Sequence, residues 1–359
     1  MSDLDAKTVS RISELARRCF GTAARVTDAA MLAGDASTRR YARARLEGGN
    51  APASAVVMLL SDRGVAMTSE ELAVAEETNE LPYVNVHRFL SSLGLAVPQL
   101  YCDASGQGML LLEDIGDTPL WDAAQGLPDA EVRKLFEQAI DQLLILQIDG
   151  TARCDDQCRA FRQVFDERLF AWEFEHFIEY GLVERVDDVP ESDMALLRDA
   201  FGAIAAFLGR QPRVLNHRDF HAWNLFVHEG RVRVIDFQDA LLAPAPYDLA
   251  TLLGDRETPR LIHPPLEQDL LHSYAQKWRA RGGPAWDAAE LWNVYAACAL
   301  QKAFKVVGRF HYLDRVKGKP AYLRHIPPTL QQIARLLTLR PDLKQVRAVL
   351  ARYFPELRT

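Results

Sequence analysis

The stretch VLNHRDFHAWNLFVHEGRVRVIDFQDA, residues 214–240, decides which fold this sequence predicts. It places two histidines, an arginine, an aspartate and an asparagine within the eight residues 217–224, between two apolar runs. A core segment rarely tolerates that density of polar groups, and a plain surface loop does not need to lie between two strand-like runs. The segment is therefore expected to carry chemistry.

The spacing of these polar residues indicates phosphoryl transfer. The triplet His-Arg-Asp at 217–219 is followed after four residues by Asn224, and Asp236 ends the next apolar run. Transfer of a phosphoryl group to a hydroxyl needs a carboxylate that orients the hydroxyl and accepts its proton, and oxygen ligands that hold Mg²⁺. Asp219 is the predicted catalytic base, and Asn224 and Asp236 are the predicted Mg²⁺ ligands.

The segment between the two predicted metal ligands reads as a β-hairpin. Residues 225–237, LFVHEGRVRVIDF, contain two short alternating runs around Glu229-Gly230, a pair typical of a tight turn. A hairpin with its turn there would return Asp236 to the side of Asn224.

The bulk composition excludes several classes of protein. The chain has 359 residues, of which 48% are hydrophobic and 25% charged, and its formal net charge is −7. An acidic chain of this kind does not predict a nucleic-acid partner, because a phosphate backbone requires clustered Lys and Arg. Five scattered cysteines do not form a disulfide framework. With no secretory signal and no apolar run of membrane-spanning length, we expect a cytoplasmic monomer without a membrane partner.

The pattern of apolar residues divides the chain into a strand-rich first third and a mostly helical remainder. Helical spacing over 5–20 is followed by two predicted antiparallel strands within 32–62, a helix around 82–94, and two strands that end at Glu113-Asp114. The predicted fold class is α+β, with a small strand-rich N-terminal lobe over 1–113, a larger helical lobe over 114–359, and a hinge at about 113–118.

Together with the motif, four further segments resemble a known family. GDASTRRY (34–41), LLLEDIGD (110–117), VIDFQDALLAPAPYDLATLL (234–253) and the stretch from Gln301 to Pro327 are similar to segments of the aminoglycoside phosphotransferase family, which has the bilobal protein-kinase-like fold. The closer resemblance is to its anomeric sugar kinases, which phosphorylate the C1 hydroxyl of N-acetylmuramate and N-acetylglucosamine in cell-wall recycling. The resemblance implies a small-molecule kinase that uses ATP and Mg²⁺ and accepts a sugar.

The resemblance also implies roles for individual residues. The segment Glu113–Ile115 would hydrogen-bond adenine through its backbone, Asp248 would be a buried brace for the catalytic loop, and His217 is expected to bond that loop rather than to react. The loop over the nucleotide phosphates would consist of Gly34, Asp35, Ala36, Ser37 and Thr38.

Two departures from the family pattern bear on function. The fold usually carries a phosphate-binding Lys on the strand after the phosphate loop, but Met58 occupies about that position. We expect Arg39 or Arg40 to supply the missing charge, and the two should face opposite sides of their strand. Gln238 stands where the usual Asp-Phe-Gly triplet has its glycine, and no Ala-Pro-Glu element or long activation segment follows, which argues against a protein kinase.

The acceptor pocket is expected in the helical lobe, facing Asp219. The candidate ligands of the sugar are His221, Glu167 and Glu175, of which His221 fits a solvated neighbour of the site equally well. An N-acetylmuramate acceptor carries a lactyl carboxylate, which an Arg or His nearby would favour and an acidic pocket would disfavour.

Two alternatives to a sugar kinase stay open. One is another small-molecule kinase acting on an aminoglycoside, choline or homoserine, which would need a pocket lined by carboxylates. The other is a catalytically inactive nucleotide-binding pseudokinase, which the missing Lys suggests and the intact Asp219, Asn224 and Asp236 oppose.

Overall fold

A computed structural model describes residues 4–32, 40–60, 80–186 and 188–358 of the chain. The residues divide into two compact units: unit 1 comprises Met1–Thr118 and Phe226–Asp239, and unit 2 comprises Pro119–Leu225 and Ala240–Thr359. A sequence boundary at residue 113 assigned 114–118 and 226–239 to the second part, whereas both segments pack within unit 1. The predicted class is observed, since unit 1 contains the main sheet and unit 2 is mostly helical.

Unit 1 is built on a five-stranded antiparallel sheet with the strand order β1-β2-β3-β5-β4. The predicted strand pairs and both predicted helices are confirmed, and β1 is an edge strand that the sequence analysis did not predict. The elements are α1 (Ala6–Phe20), β1 (Arg25–Met31), β2 (Arg40–Glu47), β3 (Ser54–Leu59), α2 (Pro82–Ser92), β4 (Leu100–Ala104) and β5 (Met109–Glu113).

The two faces of this sheet differ because successive strand residues point to opposite sides. On β2, Ala42, Ala44 and Leu46 are buried in a core with Ile12 and Leu15 of α1. The intervening β2 residues therefore project from the other face. One of them is Arg43, whose contacts are described with the candidate site.

The predicted hairpin forms and belongs to unit 1. Strands β7 (Leu225–His228) and β8 (Arg231–Val234) form a two-stranded sheet. Glu229 (φ 50°) and Gly230 (φ 74°) both have positive φ, as a two-residue type I′ turn requires. The hairpin is fixed to the rest of unit 1 by the Val234 N–H, which donates to the carbonyl of Ala96 (2.9 Å).

Unit 2 consists of nine helices and one short strand pair within its described residues. Strand β6 (Arg213–Asn216) pairs antiparallel with β9 (Leu241–Pro244), which the sequence analysis did not predict. Two helices continue into π-helical turns, Ile145–Gly150 after α4 and Phe177–Val183 after α5. The helices are α3 (Leu120–Ala124), α4 (Asp129–Leu144), α5 (Glu167–His176), α6 (Glu191–Gly209), α7 (Pro246–Gly254), α8 (Pro264–Ala280), α9 (Ala288–Arg315), α10 (Ile326–Thr338) and α11 (Lys344–Tyr353).

Helix α9 is the central helix of unit 2 and packs closely on α5 and its π-helical turn. Gly308 makes this approach possible: a Cβ at this position would lie 2.7 Å from Phe177 Cα and 2.8 Å from the carbonyl oxygen of His176. The close packing holds the polar residues of α9 at a fixed distance from α5. Among the described residues, no helix has both the length and the apolar character needed to cross a bilayer.

Candidate active site

The loop of residues 217–224, named the catalytic loop after its predicted role, leaves β6 at Asn216 and is held by Asp248 of α7. Asp248 is fully buried, and its two carboxylate oxygens accept hydrogen bonds from the backbone N–H groups of His217 and Arg218, the latter at 3.0 Å. Burial raises the pKa of Asp248 to about 7, against the two N–H donors and the charge of Lys302. Arg218 has φ 80°, a strained value for a non-glycine residue that persists only where surrounding contacts enforce it.

A second buried contact fixes the start of the loop. Gln147, in the π-helical turn after α4, donates through Nε2 to Asn216 Oδ1 (3.0 Å) and to the carbonyl of Ala245 (2.6 Å), and accepts from the hydroxyl of Tyr274 (2.8 Å). The extra residue of a π-turn redirects a side chain, and such turns recur beside functional sites. Here the turn directs an amide into the interior, where it connects β6 to α7.

The carboxylate of Asp219 forms an ion pair with a buried lysine of α9. Lys302 Nζ lies 2.6 Å from Asp219 Oδ1 and donates to the carbonyl of Arg218 (3.1 Å). The Lys302 side chain is 4% exposed and that of Asp219 is 38% exposed, so the carboxylate stays accessible. Burial acts to raise the pKa of Asp219, but the charges of Lys302, Lys305 and Arg218 hold it well below its ordinary value. Asp219 is therefore ionised, oriented and open to a ligand.

Behind the loop lies a buried charge network centred on Glu173 of α5. Glu173 is fully buried and accepts from Gln301 Nε2 (2.6 Å), Lys305 Nζ (2.9 Å) and Arg218 Nη2 (3.4 Å). Each buried charge of this network and of the Asp219 pair has an opposite charge within ion-pair distance, which lets these charges remain buried. Glu173 and Lys302 were not predicted from the sequence; the available signal was two lysines within the otherwise apolar stretch of α9.

The two glutamates predicted to contact a sugar lie on other faces of α5. Glu175 is 52% exposed and pairs with Arg198 of α6 (3.2 Å). Glu167 is exposed at the start of α5, where it packs against Gly209 at the end of α6. These contacts with α6 give no support to a role in substrate binding.

Three further polar residues of the loop are His217, His221 and Asn224, and the side chains of two of them hydrogen-bond the backbone of Asp219. His217 Nδ1 accepts from the Asp219 N–H (3.3 Å), so His217 bonds the loop backbone. Asn224 Nδ2 donates to the Asp219 carbonyl (3.0 Å), which leaves its amide oxygen for another partner. His221 is buried, and its Nδ1 has no hydrogen-bond partner among the described residues. Burial, with the charge of Arg256, lowers the pKa of His221 well below its ordinary value, so this ring is neutral.

Beside His221 lies a cluster of aromatic rings that contacts an arginine. The ring of Trp223 stacks on Trp121 (centroids 4.9 Å apart) and lies 6.0 Å from the His221 ring. The guanidinium of Arg256 lies over Trp223 (4.9 Å) and over Phe310 (5.4 Å). We call Trp223, Phe310 and Arg256 the arginine clamp; the sequence analysis did not identify it.

Asp236 follows β8 in unit 1 and has the strained φ of 63°. Gln238, which is 4% exposed, donates through Nε2 to Asp236 Oδ1 (3.1 Å) and Asp239 Oδ2 (3.1 Å). The other oxygen of Asp239 is buried without a hydrogen-bond partner in the described part of the chain. The residue that replaces the usual glycine thus gathers two carboxylates.

Most residues predicted to cover the nucleotide phosphates, Gly34 to Arg39, lie outside the described residues. Arg40 begins β2 as an exposed side chain whose Nη2 lies 3.8 Å from Met31 Sδ. Met58 on β3 is 1% exposed and pairs in register with Tyr41 and Leu110. The position of the usual Lys is therefore an apolar core position.

The segment predicted to bind adenine is fixed by ion pairs within unit 1. Glu113 pairs with Arg233 of β8 (2.9 Å for Nη1 to Oε1), and its N–H donates to the carbonyl of Gln99 (2.8 Å). The Ile115 N–H makes no hydrogen bond to any described residue, and this leaves it available to a ligand.

Arg43 of β2 reaches the same segment from the sheet. Its guanidinium donates to both carboxylate oxygens of Asp114 (2.7 and 2.9 Å) and to Asp117 (2.8 Å). These bonds lower the pKa of Asp114 against the opposing effect of burial. Arg43 and this pairing were not predicted from the sequence.

Comparison with known sequences identifies the relatives of this chain. Residues 28–292 match the model of the phosphotransferase enzyme family. The N-acetylmuramate/N-acetylglucosamine kinase of Neisseria meningitidis serogroup B is 28% identical over 334 residues, 90% of each chain. The enzyme of the same name from Pseudomonas aeruginosa is 28% identical over 276 residues, which cover 75% of this chain and 77% of that protein.

Solved structures show the same fold at lower sequence identity. The ADP-bound aminoglycoside phosphotransferase APH(2'')-Ib superposes with a TM-score of 0.59 at 15% identity, over 93% of this chain and 99% of that one. Choline kinase LicA from Streptococcus pneumoniae gives 0.58 at 14% identity, over 92% and 100%. The expected protein-kinase-like α+β fold is therefore confirmed, and, by the match that covers residues 28–292, this chain belongs to the phosphotransferase enzyme family.

Proposed function

We propose that this chain is an ATP-dependent sugar kinase that phosphorylates the anomeric hydroxyl of an N-acetylated amino sugar. The observation that carries the proposal is the state of Asp219, which Lys302 holds ionised at 2.6 Å while the carboxylate remains 38% exposed. A relative that matches over 90% of the chain carries the name N-acetylmuramate/N-acetylglucosamine kinase. This supports a sugar as the acceptor.

In the proposed reaction, the sugar hydroxyl donates a hydrogen bond to Asp219. The hydroxyl oxygen attacks the γ-phosphorus of ATP, the bond from that phosphorus to the β,γ-bridging oxygen breaks, and ADP leaves while Asp219 takes the hydroxyl proton. A lowered pKa makes Asp219 a weak base, which suits a loose transition state in which positioning and charge stabilisation outweigh proton removal. Lys302 adds a positive charge beside the reacting oxygen.

The oxygen donors of the loop and the hairpin suit Mg²⁺. Asn224 has its amide nitrogen bonded to the loop, so the oxygen is free to face a cation, and hard cations prefer carboxylate and amide oxygens. The partnerless buried oxygen of Asp239, gathered beside Asp236 by Gln238, is the kind of atom that a cation would satisfy. Asn224 and Asp236 are the proposed Mg²⁺ ligands, as the resemblance implies; bound Mg²⁺ would neutralise the charge of the triphosphate.

The nucleotide is assigned to unit 1. The free N–H of Ile115 supports a backbone hydrogen bond to adenine, and Glu113 and Arg43 fix the segment that presents it. The segment Gly34–Thr38 is assigned to the phosphates, with Arg39 or Arg40 supplying the charge that the apolar Met58 lacks. The family resemblance supports this assignment of the phosphate contacts.

The charges around Asp219 favour a neutral or anionic acceptor over a cationic one. Lys302, Lys305 and Arg218 all act on Asp219, and Arg256 acts on the neighbouring His221. A protonated aminoglycoside or a choline would have to enter beside these four cationic side chains. A sugar without positive charge meets no such penalty, which ranks the sugar above the alternative acceptors.

The test is phosphate transfer from Mg·ATP to a panel of acceptors, followed by phosphorus NMR. We expect a sugar 1-phosphate doublet from N-acetylmuramate and N-acetylglucosamine, lost in Asp219→Asn. Turnover of choline or an aminoglycoside alone would replace the sugar assignment. Nucleotide binding without turnover of any acceptor would point to a pseudokinase.

A further inference from the structure

The guanidinium of Arg256 in the arginine clamp has only one ion-pair partner among the described residues, Asp255. Arg256 has φ 50°, and its side chain is 14% exposed. Its Nε lies 3.4 Å from Asp255 Oδ2 but makes no hydrogen bond. Its two terminal nitrogens make no hydrogen bond to any described residue. An arginine stacked on aromatic rings with its fork open is arranged to bind a planar anion.

The neighbours of Arg256 show the same lack of partners. The Asp255 side chain is 1% exposed, and neither of its carboxylate oxygens has a hydrogen-bond partner among the described residues. His221 Nδ1 and Thr258 Oγ1 are also buried without partners there. Buried polar groups are normally satisfied, so four such groups in one part of unit 2 indicate that a polar ligand completes them.

These groups lie next to Asp219 through the chain and through contacts. His221 is two residues beyond Asp219 and donates its N–H to the Asp219 carbonyl (2.9 Å), while its ring meets Trp223 of the clamp. The charges of Lys302 and Asp219 both act on Asp255. A ligand whose reacting hydroxyl contacts Asp219 is therefore positioned to extend toward Arg256.

The charge balance leaves Arg256 available to an anion. Asp255 is the only acidic side chain that lies in an ion-pair contact with it in the described structure, and that contact is at Nε. Burial raises the pKa of Asp255, which disfavours its charged form. Nearby Glu257 is bonded to His325 (2.7 Å), so its charge is met elsewhere.

We propose that Arg256 is the specificity residue for an acidic acceptor and binds the carboxylate of a sugar that carries an acidic ether substituent. The inference rests on the proposed function, because it assumes that the reacting sugar hydroxyl lies at Asp219. Asp255 and His221 bond the hydroxyl and amide groups of the same ring. N-acetylmuramate has the required chemistry, with its lactyl ether on C3, and N-acetylglucosamine is the same sugar without the acid.

The test is the ratio of kcat/KM for N-acetylmuramate to kcat/KM for N-acetylglucosamine. Loss of a bidentate charge-assisted hydrogen bond is worth about 10- to 100-fold. We therefore expect Arg256→Gln to lower the ratio by about that factor, and Arg256→Lys, which keeps the charge but not the fork, to lower it less. Arg260→Gln removes the same charge from an exposed residue four positions further along, and should leave the ratio unchanged.

The ratio does not depend on the folded fraction, so partial unfolding of a variant does not obscure the result. If neither Arg256 variant folds, the wild-type protein can be assayed with the methyl ester of N-acetylmuramate, and the inference requires a loss of about 10-fold or more relative to the free acid. An unchanged ratio, or full activity on the ester, would overturn the role of Arg256 while the sugar kinase assignment stands. No turnover of either sugar by the wild type would overturn both.

Discussion

Replacement of Asp248 by Asn separates the stability of the loop from its catalytic geometry. The carboxylate accepts one backbone N–H on each oxygen, from His217 and Arg218. In the Asp248→Asn variant, one of these oxygens is replaced by an NH₂ group that faces an N–H donor, and one charge-assisted hydrogen bond is lost. That loss is worth about 1.5–3 kcal/mol, and it falls on a segment that already holds Arg218 at φ 80°.

A second effect of the same substitution opposes the first in the folding equilibrium. Burial raises the pKa of Asp248 to about 7 from 3.8, so keeping this carboxyl ionised costs folding free energy. Asn removes that cost. We therefore expect the free energy of unfolding to change little, within about 2 kcal/mol in either direction, because the two effects largely cancel.

Only the loss of the hydrogen bond affects kcat, because the cost of burying the Asp248 charge is the same with and without bound substrate. If the loop relaxes and Asp219 moves, about 2–3 kcal/mol of positioning is lost, and kcat should fall by about 30- to 150-fold. The assay is steady-state kinetics beside chemical denaturation. Asp141→Asn, which breaks only a half-exposed ion pair with Lys277, is the matched control. A folded Asp248→Asn enzyme with kcat within about threefold of wild type would refute the assignment of Asp248 as the brace of the loop.

Three further outcomes are expected. Gly308→Ala should destabilise the protein by about 2 kcal/mol or more, because the new Cβ meets backbone atoms at 2.7–2.8 Å. The control Gly202→Ala in α6, which has open space around it, should instead stabilise by up to about 1 kcal/mol. Equal melting temperatures for the two variants would contradict this account of the α5–α9 packing. Lys302→Met should lower kcat by about 100-fold or more. It should also move the acidic limb of the pH–rate profile to higher pH, because the charge that holds the pKa of Asp219 down against burial is removed. An unmoved limb would show that Lys302 does not set the pKa of Asp219. Burial, aided by Arg185 and Arg315, lowers the pKa of His311 to about 4 from 6.5, so its contribution to stability is present above pH 6.5 and is lost as the pH falls from 6.5 toward 4. The His311→Phe variant should therefore lose about 1–2 kcal/mol less unfolding free energy than wild type over this range. Denaturation curves with the same pH dependence in both proteins would count against this expectation.

Local spacing was enough to predict the catalytic loop and its hairpin. The turn at Glu229-Gly230 follows from residues that tolerate positive φ, and the strands on either side follow from alternation. Asp219, Asn224 and Asp236 were proposed as base and metal ligands because phosphoryl transfer restricts both the residue types and their separations. The edge strand β1 was missed because the half-exposed sequence RVTDAAM shows no clear alternation, and its pairing with β2 is what orders it.

Contacts made across long separations in sequence were not predictable in this way. Lys302 lies 83 residues beyond Asp219, and helical periodicity places it on a buried face without naming its partner. Periodicity also could not choose among the glutamates of α5, since Glu173 and Glu175 differ only in which neighbouring helix they meet. Arg256 was missed for a related reason, because an arginine after a helix normally reads as a solvated charge.

The position of Lys302 in the chain bears on how members of this family diverge. The family match ends at residue 292, yet the counter-charge of Asp219 and the Phe310 side of the arginine clamp both come from later residues. Under the roles proposed for Asp219 and Arg256, substitutions in this C-terminal segment would change the charge at the carboxylate and the contacts to the acceptor while the motifs within residues 28–292 stay intact. Exchange of that segment between relatives would therefore test whether it sets acceptor preference, with unit 1, to which the nucleotide is assigned in the proposal, left unaltered.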